Sequence, residues 1–123
     1  MARILVVDDE PQVRQLLRGT LLKAGYEVDE AEDGDMAIER YRDNPADLVI
    51  SDIVMPERDG TGLIIALQQE FPDLKIIAMS GGGVLDPQYH LCLAKAFGAI
   101  RTFPKPVPLH DLLEAVQELL AES

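Results

Sequence analysis

Short apolar runs alternate along this chain with stretches whose apolar positions recur every three or four residues. Ile4-Leu5-Val6-Val7, Leu48-Val49-Ile50, Lys75 to Met79 and Ile100 to Phe103 are the runs. Each is short, rich in β-formers and bounded by polar or turn residues, and each predicts a strand. Glu27 to Ala31 alternates only weakly and predicts a further strand. Helical spacing fills the gaps. Val13, Leu16, Leu17, Leu21 and Leu22 follow Pro11, which suits a helix's first turn, and Gly25 stops them. Met36, Ala37, Ile38 and Tyr41 run from the Asp33-Gly34 turn to Asn44-Pro45. Leu63, Ile64 and Leu67 mark a helix over 61–69, and another is expected over 87–97. The last runs from Pro108 to Ala121, with Leu109, Leu112, Leu113, Val116 and Leu120 on its apolar side. Residues 55–60 and 80–83 read as loops, and Pro104-Lys105-Pro106 as a rigid turn.

Strand and helix thus alternate about five times, the pattern of a parallel sheet with helices on both faces. Strands that are apolar throughout agree with burial on both sides. Right-handed crossovers put every strand's C-terminal end on one edge, and in such open sheets the site lies outside those ends. The residues at or just past these ends are Asp8-Asp9, Asp52, Ser80 and Lys105. Glu30 and Glu32, beside the second strand, receive no role.

Composition narrows the chemistry. The 123 residues fit a single domain over 1–123, with no output domain expected, and 47% are apolar. There are 22 acids against 11 bases, a formal charge of −11. A nucleic-acid surface needs a basic stripe and an anionic membrane surface needs basic clusters; neither is present, so neither partner is expected. A divalent cation or a basic partner surface suits the balance better. The apolar run after Met1-Ala2-Arg3 is too short for a secretory signal. Cys92 is the only cysteine, so a reducing, cytoplasmic setting is expected. His90 and Cys92, two apart in a predicted helix, fall on different sides and make a poor metal pair.

Three acids in one hollow raise one another's pKa. A hard divalent cation removes that conflict, and Mg²⁺ binds through one or two carboxylates plus a substrate phosphate. Asp52 can then act as a nucleophile and form an aspartyl phosphate. Lys105 can neutralise phosphoryl oxygens from another side, Ser80 can donate to one of them, and Gly81-Gly82-Gly83 leaves them room. Taken singly, each residue has a plainer reading: the acids cap or line loops, Ser80 turns the chain, Lys105 is a surface lysine. Their coincidence at strand ends favours the joint reading.

The chain resembles the response-regulator receiver domain of two-component signalling over its whole length. The matching residues are Ile4 to Glu10, then Asp33-Gly34 with Ala37, Asp52 to Pro56 with Asp59-Gly60, Ser80, Gly98-Ala99 and Lys105-Pro106. The resemblance implies a flavodoxin-like, doubly wound, five-stranded parallel sheet in the order 2-1-3-4-5. It makes Asp52 the phospho-acceptor, and it has Asp8, Asp9, Asp52 and the backbone carbonyl of Val54 hold Mg²⁺. Ser80 and Lys105 become the switch hydroxyl and the phosphate-pairing ammonium. The donor would be a phosphohistidine on a sensor histidine kinase or a histidine phosphotransfer protein. A surface of the fourth helix, fifth strand and fifth helix would engage a downstream protein, with the chain a monomer or a phosphorylation-dependent dimer. Such a domain is not an enzyme beyond catalysing its own phosphoryl transfer and loss.

Two departures stand out. The family usually carries an aromatic three residues before the lysine; Thr102 stands there, and Phe103 should point to the opposite face. The stretch from Ser80 to Lys105 is about three residues longer than usual, with the excess before the fourth helix. The alternatives are a phosphorelay carrier, a small Mg²⁺-dependent phosphatase using an aspartyl phosphate, and a scaffold that binds without phosphorylation. The phosphatase is disfavoured because its acids commonly sit as Asp-x-Asp on one strand.

Overall fold

A computed structural model of the chain describes residues 2–52, 66–67, 69–80 and 100–121. Val54, the loops expected at 55–60 and 81–83, and the helix expected over 87–97 lie outside these residues, as does most of the helix expected over 61–69. So does the extra length expected before the fourth helix.

Five strands form one parallel sheet: β1 (Arg3–Val7), β2 (Glu27–Ala31), β3 (Leu48–Asp52), β4 (Lys75–Ser80) and β5 (Arg101–Pro104), in the order β2-β1-β3-β4-β5. The weak alternation of β2 has a physical reason: it is an edge strand and only Ala31 in it is fully buried. β3, in the middle, is buried throughout. β5 forms the other edge, where Pro104 can end a strand without a ladder hydrogen bond.

Side chains leave a strand alternately to its two faces. Leu5, Val7, Val49, Ile76 and Ala78 go one way, onto Ala37, Ile38 and Tyr41 of α2 (Gly34–Asp43). Ile4, Val6, Leu48, Ile50, Ile77 and Met79 go the other way. There they meet Leu17 and Leu21 of α1 (Pro11–Lys23) and Leu112, Val116 and Leu119 of the C-terminal helix (Leu109–Ala121). Each fully buried Leu or Ile contributes about 1.5–3 kcal/mol, so these two layers supply most of the driving force.

The helix boundaries follow local chemistry. Asp33, expected in a turn, is the N-cap of α2: its carboxylate accepts from the Met36 N–H at 2.8 Å. Gly25 adopts φ +96° after α1, and the N–H groups of Gly25 and Tyr26 donate to Leu22 and Leu21 carbonyls, a Schellman ending. The apolar stripe of α1 is narrower than spacing suggested, and that of the C-terminal helix is wider. Leu16 and Leu22 are exposed on α1, whereas Ala115 and Leu119 join the buried face of the C-terminal helix. The Lys75 ammonium donates to the Leu119 carbonyl, tying the start of β4 to that helix's last turn.

Candidate functional site

Register brings the acids together. Val7 stands opposite Ser51, so one step further along sets Asp8 beside Asp52. Asp8 continues the face of Val6, and Asp52 that of Ile50. Asp52 also shares a row with Met79 and Phe103 across β4 and β5. Two residues beyond Phe103 comes Lys105, on the same side. The chain folds this way because the alternate residues beneath are the apolar layer under α1 and the C-terminal helix.

Three side chains meet there, and two of them are shut from solvent: Asp8 is 0% exposed and Asp52 3%. The Lys105 Nζ lies 2.7 Å from Asp8 Oδ2, 3.0 Å from Asp52 Oδ2 and 3.2 Å from Glu10 Oε1. Glu10, given no role from sequence, therefore joins the site, and its place directly after Asp8 and Asp9 is the signal. Asp9 stays exposed, but one carboxylate oxygen from each of Asp8, Asp9, Glu10 and Asp52 falls within 4.8 Å of the others.

The electrostatics are unbalanced. Burial raises the Asp8 carboxyl above the usual aspartate range, and the charge of Asp52 adds to this. The Lys105 ammonium and the Glu10 N–H, which donates to Asp8 Oδ1 at 2.9 Å, oppose the rise without cancelling it. Burial alone would lower Lys105; its close pairing with Asp8 and its hydrogen bond and charge pairing with Asp52 win, and it is held above the usual lysine range. Lys105 is therefore a fixed cation among more acids than it can neutralise.

Asp8 Oδ2 shows where the shortfall lies. It is close to the ammonium, yet not along a hydrogen-bonding direction, and among the described residues it is a buried side-chain oxygen with no hydrogen bond. A buried carboxylate oxygen left in this way has a ligand's chemistry. With Asp9, Glu10 and Asp52 beside it, the donor set is all oxygen and open to solvent through the exposed Asp9 and Glu10. That set fits a hard divalent cation that keeps some of its water.

The structure thus brings Asp8, Asp9, Asp52 and Lys105 to one edge. β4 carries the Ser80 backbone to the same edge, with Ser80 paired to Pro104. Thr102 pairs with Ala78, on the α2 side, while Phe103 packs on the opposite layer.

The family model for the response regulator receiver domain matches residues 4–117. The chain is 42% identical over 118 residues to the chemotaxis protein CheY of Thermotoga maritima, covering 95% of this chain and 96% of that protein. It is 35% identical over 122 residues to the response regulator receiver protein CpdR of Brucella abortus, covering 98% of each. Among solved structures, the response regulator TrrA of Thermotoga maritima, in complex with Mg(2+)-BeF, superposes with a TM-score of 0.85. It is 36% identical, and the match covers 97% of this chain and 99% of that one.

Proposed function

The chain belongs to the response regulator receiver family, and we propose that it works as a phosphorylation-dependent signalling switch. Asp52 accepts a phosphoryl group from a phosphohistidine in a Mg²⁺-dependent step. The observation that carries this reading is the Lys105 ammonium set between Asp8 Oδ2 at 2.7 Å and Asp52 Oδ2 at 3.0 Å. A lysine drawn from 53 residues away into a buried acidic pair has a use if a phosphoryl group arrives there.

In the step, an Asp52 carboxylate oxygen attacks phosphorus. The O–P bond forms as the P–N bond to histidine breaks, and the electron pair leaves on the imidazole nitrogen, which takes a proton from solvent. Asp8, Asp9 and Asp52, with the Val54 carbonyl that the family resemblance implies, would hold Mg²⁺, which when bound would supply positive charge against the acids and the phosphoryl oxygens. Lys105 keeps its proton throughout, orients Asp52 beforehand and then pairs with a phosphoryl oxygen. Ser80 donates its hydroxyl to another. TrrA, complexed with Mg(2+)-BeF, a phosphoryl stand-in, supports both the metal and the chemistry.

The donor is a sensor histidine kinase or a histidine phosphotransfer protein in the cytoplasm. The added charge, roughly −1.5 to −2 for a phosphoryl group, shifts an existing equilibrium at the surface of the fourth helix, fifth strand and fifth helix, which binds a downstream protein. The chain turns over no separate substrate. Incubation with Mg²⁺ and acetyl phosphate should add the mass of one phosphoryl group to the wild type and none to Asp52→Ala. An unmodified wild type, or equal modification of Asp52→Ala, overturns the reading.

A further inference from the structure

The metal-binding acids are set at the end of β1, and their backbone is tethered from outside the site. The Asp8 N–H donates to the Ala31 carbonyl at 3.1 Å. The Asp8 carbonyl accepts from the Arg14 guanidinium at 2.6 Å. Arg14, in the second turn of α1, is itself held: its Nε lies 3.5 Å from Glu30 Oε1, and its side chain is only 16% exposed. Glu30 is gripped a second time by Arg18 at 3.2 Å. β2 therefore holds both ends of the Asp8 residue, directly through Ala31 and indirectly through Glu30 and Arg14. Neither Glu30 nor Arg14 touches the acids' carboxylates in these contacts.

We propose that Arg14 is a positioning residue for the cation site: its bond to the Asp8 carbonyl fixes the Asp8–Asp9 peptide so that both carboxylates face the metal. The inference rests on the reading above. The physical reason is the cost of the site's charge. Two acids in succession, one of them buried, share the site with the buried Asp52, and an oxygen of each lies within 4.8 Å of the others, so like charges are crowded there. One relief is rotation about the soft backbone bonds that flank the planar Asp8–Asp9 peptide, which would swing one carboxylate outward. A guanidinium bonded to the carbonyl resists that rotation, as the partners of metal ligands generally do. A charged donor suits the task, because its hydrogen bond to a carbonyl is stronger than a neutral one's.

Space around Arg14 makes the test practicable. The guanidinium borders a hollow of about 310 Å³ that Glu30, Glu32, Met36 and Arg40 also line. A shorter side chain there admits water rather than collapsing a core. Arg14→Gln should weaken Mg²⁺ binding, read by titration calorimetry on the whole chain, by about ten-fold. Arg14→Lys, which keeps a charged donor, should recover most of that loss. Arg18→Gln removes the other grip on Glu30 without touching Asp8 and should leave Mg²⁺ affinity within two-fold, roughly the error of such a comparison. The Asp9 and Glu10 amide resonances should shift in Arg14→Gln and not in Arg18→Gln, a readout that general loss of stability would not separate. If the wild type gives no Mg²⁺ response, the functional reading falls and this inference with it. If the wild type binds and folded Arg14→Gln binds equally well, or Arg14→Lys is no better than Arg14→Gln, the inference alone falls.

Discussion

The two edges of the sheet handle their acids in opposite ways. At the N-terminal edge Asp47 is tied to β1 twice: its carboxylate accepts from the Arg3 N–H at 2.8 Å and its own N–H donates to the Arg3 carbonyl at 2.8 Å. Arg3 also pairs with Glu27 at 3.4 Å. Acid, cation and backbone match there, and solvent reaches them. At the C-terminal edge, Asp8 and Asp52 are buried with Lys105 between them, and among the described residues an oxygen of Asp8 has no hydrogen bond. One arrangement closes the fold. The other leaves a charge deficit where the strands end, and stability spent at one place on a local mismatch is the mark of a site.

Removing the lysine is the largest way to break this contrast. Lys105→Met takes the ammonium away from two buried carboxylates. Urea unfolding in EDTA should show a loss of about 3 kcal/mol, the scale for breaking a buried ion pair from one side. Adding Mg²⁺ should restore a substantial part of that, because the metal would stand in for the ammonium's charge. A loss that Mg²⁺ does not touch would mean that the acids do not share a cation.

The paired acids sharpen the contrast by changing its sign. Asp47→Ala deletes the acceptor of the Arg3 N–H and should cost about 1 kcal/mol, the same with or without Mg²⁺. Asp8→Asn should do the reverse. Burial raises the Asp8 carboxyl, so its charged form is the costly one in the native state and a neutral isostere relieves it. The amide keeps an oxygen for the Glu10 N–H, and its nitrogen swings from the Lys105 ammonium, 2.7 Å from Oδ2 in the native site, toward acids that lie within 4.8 Å. In EDTA the variant should gain about 1 kcal/mol, and stabilisation by Mg²⁺ should vanish. Equal losses from both substitutions would erase the distinction between the edges.

The same difference explains what could be read from the sequence. β1, β3 and β4 are legible because burial on both faces writes apolar runs, and those of β1 and β3 point at Asp8 and Asp52; the edge strands β2 and β5 carry a weaker signal. The Asp33 cap was read as a turn because Asp-Gly signals both. Leu16 and Leu22 shared helical spacing with Leu17 and Leu21, yet periodicity does not set how wide a stripe the sheet covers. Arg3 with Asp47, Arg14 with the Asp8 carbonyl and Glu10 with Lys105 were not legible. Such pairs join residues that only the folded register makes neighbours. Arg14 had a further disguise: its partner is a backbone carbonyl, which no residue type announces.

The smallest expected effect tests whether well-formed geometry alone carries stability. Arg42 donates twice to Glu70, at 3.0 and 2.9 Å, a bidentate pair. Both side chains are largely exposed, at 57% and 43%. Water solvates the separated ions nearly as well, salt screens their attraction, and two long side chains lose freedom in meeting. Arg42→Ala should therefore leave the urea midpoint unchanged within error, in EDTA and in Mg²⁺ alike. Should it instead destabilise the chain as much as Lys105→Met does, bond geometry rather than burial would govern what a charge contributes here. The distinction drawn between the two edges would then have to rest on distances alone, which do not separate them.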